Sequence, residues 1–176
     1  VYDNGTLIGT TTVDGSGSWT FTPGTALNDG NHNFTATVTD TVGRVSPSTG
    51  GFDIVVDTTA PSAASDLLIT DDVGTKTGPV ITGDTTDDNV PTISGKAEAG
   101  STVSIIDNGT VIGSAVADNN GNWSFTPSTP LANGPHDITT KVTDTAGNTG
   151  PEGAHTSFEV DVAPGQTVIT AVNDDA

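Results

Sequence analysis

"SIIDNGTVIGSAVADNNGNWSFTP", residues 104–127, decides the fold. Val103 and Ile105 alternate with polar residues in 102–107, and 110–117 is a short run rich in Val, Ile and Ala, patterns that suit strands rather than helices. Asp107-Asn108-Gly109 stands between the two runs. Asn-Gly tolerates the positive φ of a type I′ turn, so the pair predicts a β-hairpin. Asn120-Gly121 marks a second turn, after which Trp123 and Phe125 fall on one face of a strand over 122–126. Core packing accounts for both aromatics, since side chains two apart share a strand face.

Outward from this stretch, further strands are predicted at 66–70, 91–96, 136–144 and 157–161. No segment shows helical periodicity. Seven short strands in about 100 residues predict an all-β fold of tandem Ig-like β-sandwiches with Greek-key connections. Alternating strand directions would sort the loops into two ends. The connection 70–91 and the end of the last strand share one end. The turn near 118–121, the 144–148 loop and the incoming linker share the other.

The chain repeats itself. "YDNGTLIG" (residues 2–9) returns as "IDNGTVIG" (106–113), "GSWTFTPGTAL" (17–27) as "GNWSFTPSTPL" (121–131), and "VTDTVG" (38–43) as "VTDTAG" (142–147). All share an offset of 104, with about 25 identities in the first 57 positions. Self-similarity of this kind signals an array. We expect residues 1–61 to be the C-terminal part of one repeat with its linker, 62–164 a complete repeat, and 165–176 the start of the next. "DTTAPSAA" (57–64) and "DVAPGQ" (161–166) are the links, and Pro61 and Pro164 make them short and stiff. Because strands equivalent to 66–70 and 91–96 are missing before Val1, residues 1–61 should not close a sandwich alone.

Composition narrows the function. There are 22 acidic and 4 basic side chains, for a net charge of -18. No basic patch exists to neutralise phosphate, which excludes nucleic acid and an anionic membrane surface as partners. No apolar run approaches the ~20 residues of a membrane span. There is no Cys, hence no disulfide and no thiolate metal site. No Ser/His/Asp arrangement suggests a nucleophile, and adjacent acids such as Asp87 and Asp88 rarely flank one glycosidic bond. The chain is not expected to be an enzyme. His32 and His136, at the start of equivalent strands, are read as corner hydrogen bonds.

Of the acidic residues only Glu98, Glu152 and Glu159 are Glu. Asp favours turns and hard-cation sites. For Asp3, Asp107 and Asp118 the turn role is expected. Asp71 and Asp72, then Asp84, Asp87 and Asp88, are different: they crowd one long connection, and Asp174-Asp175 echoes the first pair. Such loops tend to be functional. Two carboxylates held ~4 Å apart repel by roughly 4 kcal/mol at an effective dielectric near 20. A divalent cation reverses the sign, and Ca2+ accepts 6 to 8 oxygens in loose geometry. Asp161 adjoins the cluster, and the 144–148 loop of a neighbouring copy, with Asp144 and Asn148, would bring oxygens to the same junction. Zn2+ is disfavoured, since Cys is absent and the His residues are dispersed. Neither an EF-hand loop nor a glycine-rich calcium nonapeptide is present.

"VDTTAP", "ITDDVGTKTGPV", "GDTTDDNVPTISGKAEAGSTVSIIDNG", "GNWSFTPSTPLANGPH" and "VTDTAGN" together resemble the bacterial Ig-like repeats of giant type I-secreted (RTX-type) surface adhesins and biofilm-associated proteins. The resemblance covers the whole chain. It implies an extracellular fibre at the bacterial cell surface, built of many such domains and contacting host or abiotic surfaces through a distal domain. It also implies Ca2+ near domain junctions, with the acidic pairs and the linker residues Asp57 and Asp161 as ligands. The neighbouring repeats would be the chief partners. Other functions open to the same fold are a glycan- or surface-binding module, an accessory domain of a secreted hydrolase, and a virion decoration domain.

Overall fold

The computed structural model describes residues 1–163. The expected next copy at 165–176, with Asp174 and Asp175, lies outside them. The chain divides into two compact units, Val1–Thr59 and Ala60–Ala176. Among the described residues every regular element is a strand.

In the second unit, β5 (Ser65–Asp71), β8 (Thr92–Lys96) and β11 (Asn122–Phe125) form a sheet in the order β11-β8-β5-β6, with β6 (Gly78–Val80) at its edge. The opposing sheet runs β10-β9-β12-β14-β7, from β10 (Thr110–Val116), β9 (Thr102–Asp107), β12 (Gly134–Thr143), β14 (Thr156–Val160) and β7 (Thr85–Thr86). β13 (Thr149–Glu152) also pairs with β12. Ile69, Ile93, Ile105, Ile138, Trp123, Val142 and Phe158 fill the space between the sheets, all buried. This is an Ig-like β-sandwich: inward residues alternate with solvated ones on each strand.

The hairpin β9–β10 turns at Asn108 and Gly109 with φ of 47° and 79°, the two positive values a type I′ turn needs. Two features differ from the reading of the sequence. The connection 70–91 is not open loop: β6 turns back on β5, and β7 crosses to lie parallel to β14. The last strand is broken in two, β13 and β14, both lying along β12. The break falls at Gly153, where a Cβ would strike the Thr140 hydroxyl at 2.7 Å.

The first unit has a single sheet, β2-β1-β3-β4, from β1 (Tyr2–Asp3), β2 (Thr6–Leu7), β3 (Gly30–Thr35) and β4 (Phe52–Val56). Its register repeats that of its counterpart: His32 faces Ile54 as His136 faces Phe158. Without a second sheet its apolar face is open. Trp19 is 45% exposed, whereas Trp123, at the equivalent place in the closed sandwich, is 4% exposed.

Candidate functional site

The acidic residues sort into three structural roles. The first is turn-holding. Asp14, Asp40, Asp118 and Asp144 each open a five-residue Asp-x-x-Gly-x turn with one bonding pattern. In the last, Asp144 Oδ1 accepts from the N–H groups of Ala146 and Asn148 at 2.9 and 2.8 Å, and Oδ2 accepts from the Asn148 side-chain amide at 2.8 Å. The Gly147 N–H closes the turn on the Asp144 carbonyl. Asp118 binds the N–H groups of Asn120 and Asn122 in the same way. Donors aimed at a carboxylate favour its charged form. The Asn148 amide, foremost, holds Asp144 below the usual Asp range, and the Asn122 N–H does so for Asp118. The repeated Asp-x-x-Gly spacing marks these four, but Asp71-Asp72-Val73-Gly74 has it too, so the spacing alone does not separate them from the crowded end.

The second role is a lock on the strand that begins at residue 30 or 134. His136 Nδ1 lies 2.7 Å from Asp107 Oδ2, and its Nε2 lies 2.8 Å from the Ala132 carbonyl. His32 repeats the arrangement with Asp3 at 2.5 Å and the Asn28 carbonyl at 2.8 Å. These are the corner hydrogen bonds expected of the two histidines, with the Asp partner that sequence reading had assigned to a turn. The Asn28 carbonyl, then the Asp3 carboxylate, favour a protonated His32 and raise it above its ordinary value.

The third role is the crowded end. Asp71 closes β5, Asp87 and Asp88 follow β7, and Asp161 follows β14. The β7–β14 ladder joins them: the Asp161 N–H donates to the Thr86 carbonyl at 2.9 Å. Thr86 is the centre. Its hydroxyl donates to Asp71 Oδ2 at 2.6 Å and accepts from the Asp88 N–H at 3.1 Å. Val73 N–H reaches Asp71 Oδ1 at 3.0 Å, Asp72 N–H reaches Asp88 Oδ2 at 3.3 Å, and Val90 N–H reaches Asp88 Oδ1 at 2.9 Å. Asp71 and Asp88 are buried, while Asp72 and Asp87 are exposed. The Asp87 carboxylate sits against Gly74, where any Cβ would collide with it and φ is +67°.

The structure thus brings Asp71, Asp72, Asp87, Asp88 and Asp161 to one end. Asp144 is not with them. Gly134 pairs with Val160, so Asp161 adjoins the start of the ten-residue β12 and Asp144 follows its far end, about 30 Å along. Asp57 belongs to the first unit, where it accepts the Thr59 N–H at 3.0 Å.

Does this end suit a hard cation? The donors are all oxygen, as Ca2+ prefers. The carboxylates of Asp71 and Asp88 are both buried, and among the described residues none of the ion pairs involves either of them. Against this, each of their four oxygens accepts one hydrogen bond. Among the described residues no group of three or more His, Cys, Asp or Glu is placed to hold a metal ion. The end offers a partial set of ligands that further oxygens would have to complete.

His155 and Ser157 both bond to Asp137, at 2.7 Å each, so the hydroxyl faces the carboxylate rather than the imidazole. No helix is long and apolar enough to cross a membrane among the described residues.

A two-sheet sandwich, preceded by a second unit with the same register and the same His–Asp lock, defines a tandem Ig-like module. A model of the bacterial Ig-like domain matches residues 1–58 and again 62–162. The chain belongs to that family. Ig-like domains are typically non-catalytic modules. Among solved structures, fibronectin(III)-like modules of Clostridium thermocellum CbhA are similar, with a TM-score of 0.46 and 18% identity over 90% of this chain and 75% of that one. CopC from Methylosinus trichosporium OB3b gives 0.33 and 19% identity over 49% of this chain and 89% of its own. The BSP domain of a biofilm associated protein gives 0.36 and 17% identity, spanning 77% of this chain and 28% of that one. No curated protein sequence matches.

Proposed function

We propose that the chain is an extender segment of a secreted bacterial surface adhesin of the type I-secreted, RTX-type class, a stalk that serves attachment and biofilm formation. The observation that carries the reading is how each copy secures its exit. In the first unit Asp29 accepts the Thr58 N–H at 3.0 Å and the hydroxyls of Thr58 and Thr59 at 2.7 and 2.8 Å. In the second, Asn133 takes the same position and exchanges two hydrogen bonds with the Val162 backbone, both 3.1 Å. The entering chain is seated too: Pro61 is buried, and its carbonyl lies where a Cβ on Gly150 would be. A module that only needed to bind a ligand has no reason to clamp both of its ends. A spacer that transmits force along a fibre does.

Calcium completes the proposal. Asp71, Asp72, Asp87, Asp88 and Asp161 would hold the ion, together with oxygens from the copy that follows; Asp57 is the residue corresponding to Asp161 in the first copy. The ion would supply the positive charge that the buried carboxylates lack. Titration calorimetry tests this. At a Kd of ~0.1 to 1 mM and ~10 mM Ca2+, the linkage relation gives about 1.4 to 2.7 kcal/mol of stabilisation, or roughly 6 to 20 °C in Tm for a domain of this size. Asp88→Asn should remove most of it. No heat of binding, and one Tm in Ca2+ and in chelator, would sink the calcium reading.

A further inference from the structure

Tension along the chain has to cross the second unit between two particular strands. The chain reaches β5 from Pro61 and leaves the sandwich at the end of β14. Ser65, the first residue of β5, pairs with Lys96. Asp71, the last, is bonded to Thr86, whose carbonyl accepts from Asp161. Both β5 and β14 therefore run toward the acidic end. A pull on the two termini draws β5 back toward its start and β14 forward past its end, each along its own axis. A strand drawn along its axis loads all its lateral bonds together, whereas one lifted from an end breaks them in turn.

The two strands are held differently. β5 pairs with β8 through a bulge between Ser65 and Leu68, where Asp66 has φ +53°, and with β6 only from Ile69 to Asp71. β14 is gripped on both sides. β12 pairs with it from Gly134–Val160 to Ile138–Thr156. On the other side β7 runs parallel to it. There the Gly83 N–H donates to the Ser157 carbonyl at 2.8 Å, the Glu159 N–H to the Asp84 carbonyl and the Asp161 N–H to the Thr86 carbonyl, both at 2.9 Å. The Thr86 hydroxyl, bonded to Asp71, passes the pull on β5 to β7. Once β5 and β6 are drawn off, β7 is the next segment in the chain and is pulled back directly against β14. Behind it, the Leu131 N–H holds the Asn89 carbonyl at 2.7 Å. We propose that the parallel β7–β14 ladder is the mechanical clamp of the repeat, the element whose shearing sets how fast the sandwich unfolds under tension. The proposal rests on the stalk reading for the direction of the pull.

The test holds the whole 176-residue chain by its two ends at constant load, in chelator, so that the outcome is separate from calcium binding. The second unit is recognised by its release of about 340 Å of extended chain. Forced unfolding is governed by the unfolding rate, and only contacts already broken at the barrier change that rate. Glu159→Pro removes a donor that points to β7 and not to β12, and should speed unfolding at least about fivefold. Gly121→Ala strains a turn away from β14 that is still intact at the barrier, so the rate under load should change less than about twofold. The third arm needs no proline. The chain has no Cys, so a handle on Asn89→Cys is unique. Held between that handle and the C-terminus, β14 is lifted from the acidic end and the ladder opens bond by bond, and unfolding at the same load should be at least about tenfold faster. Three results would overturn the proposal. One is equal acceleration by Glu159→Pro and Gly121→Ala. Another is no acceleration in a Glu159→Pro chain whose β12 keeps its exchange protection. The third, decisive even if that variant does not fold, is one rate for both directions of pull. Failure of the clamp leaves the calorimetric test of calcium and the stalk reading where they stand.

Discussion

Trp19 and Trp123 are one residue type at one place in the repeat, with and without a covering sheet, and truncating each to Ala measures what that sheet contributes. A Trp side chain buries about 150 to 250 Å2. At about 25 cal/mol per Å2 this is roughly 4 to 6 kcal/mol for Trp123, which is 4% exposed. Trp→Ala substitutions in cores cost about 3 to 5 kcal/mol, and we take that range. Trp19 keeps 45% of its surface in water, so about half the term applies, close to 2 kcal/mol. Domain stabilities are about 5 to 15 kcal/mol. Trp123→Ala should therefore leave its sandwich near the edge of folding, and Trp19→Ala should cost its own unit about half as much. Because the chain has two units, a single melting curve would mix them. Native-state hydrogen exchange resolves them, with β12 reporting one unit and β3 the other. Equal losses, or a larger loss at β3 in the Trp19 variant, would refute the argument that the second sheet makes the core.

Three further outcomes follow from the hydrogen bonds and the turn geometry. The carboxylates of Asp14, Asp40, Asp118 and Asp144 are all held below the ordinary Asp value by donors in their turns. Their stabilisation is therefore whole above about pH 3.9 and is lost as pH falls through the lowered folded values. Melting followed from pH ~5 to pH ~2 should show this loss, and Asp144→Asn should flatten part of it. His32 has the opposite sign: with its folded value raised, its contribution is full below about pH 6.5 and disappears as pH rises through the folded value. Exchange at β3 should accelerate across that window, and His32→Gln should remove the dependence. Finally, Gly121 has φ +77° and a Cβ there would lie 2.5 Å from the Ala97 carbonyl, whereas Gly109 has φ +79° with open space. Gly121→Ala should cost about 1 to 3 kcal/mol and Gly109→Ala about 1, read by urea unfolding.

The sandwich was legible because its signals are local. Asn108-Gly109 fixes a hairpin by backbone geometry alone, and period-two runs such as 102–107 name their own inner face. The short strands were not. Thr85–Thr86 carries no periodicity in two residues, and its parallel partner lies more than 70 positions away, so only the tertiary fold reveals that the chain changes sheets there. The broken strand at Gly153 failed for a related reason: the residues on either side of the break look like separate, unrelated segments. At the acidic end, clustering marked Asp71, Asp72, Asp87, Asp88 and Asp161 as neighbours, while the residue that ties them, Thr86, looks like any other Thr in a Thr-rich chain. Asp144 was expected at the opposite end, as a ligand offered to a neighbouring copy; it does lie at that end, and the hydrogen bonds of its own turn engage both of its oxygens.

Small-angle X-ray scattering of this chain extended through one further complete copy, in ~1 mM Ca2+ and again in excess chelator, tests most directly whether the acidic end stiffens the passage between copies. The account predicts a rod-like particle whose maximum dimension shortens and whose distance distribution broadens when the metal is removed, with Asp71→Asn/Asp88→Asn behaving as chelated even in Ca2+. Superimposable curves in the two buffers would contradict it.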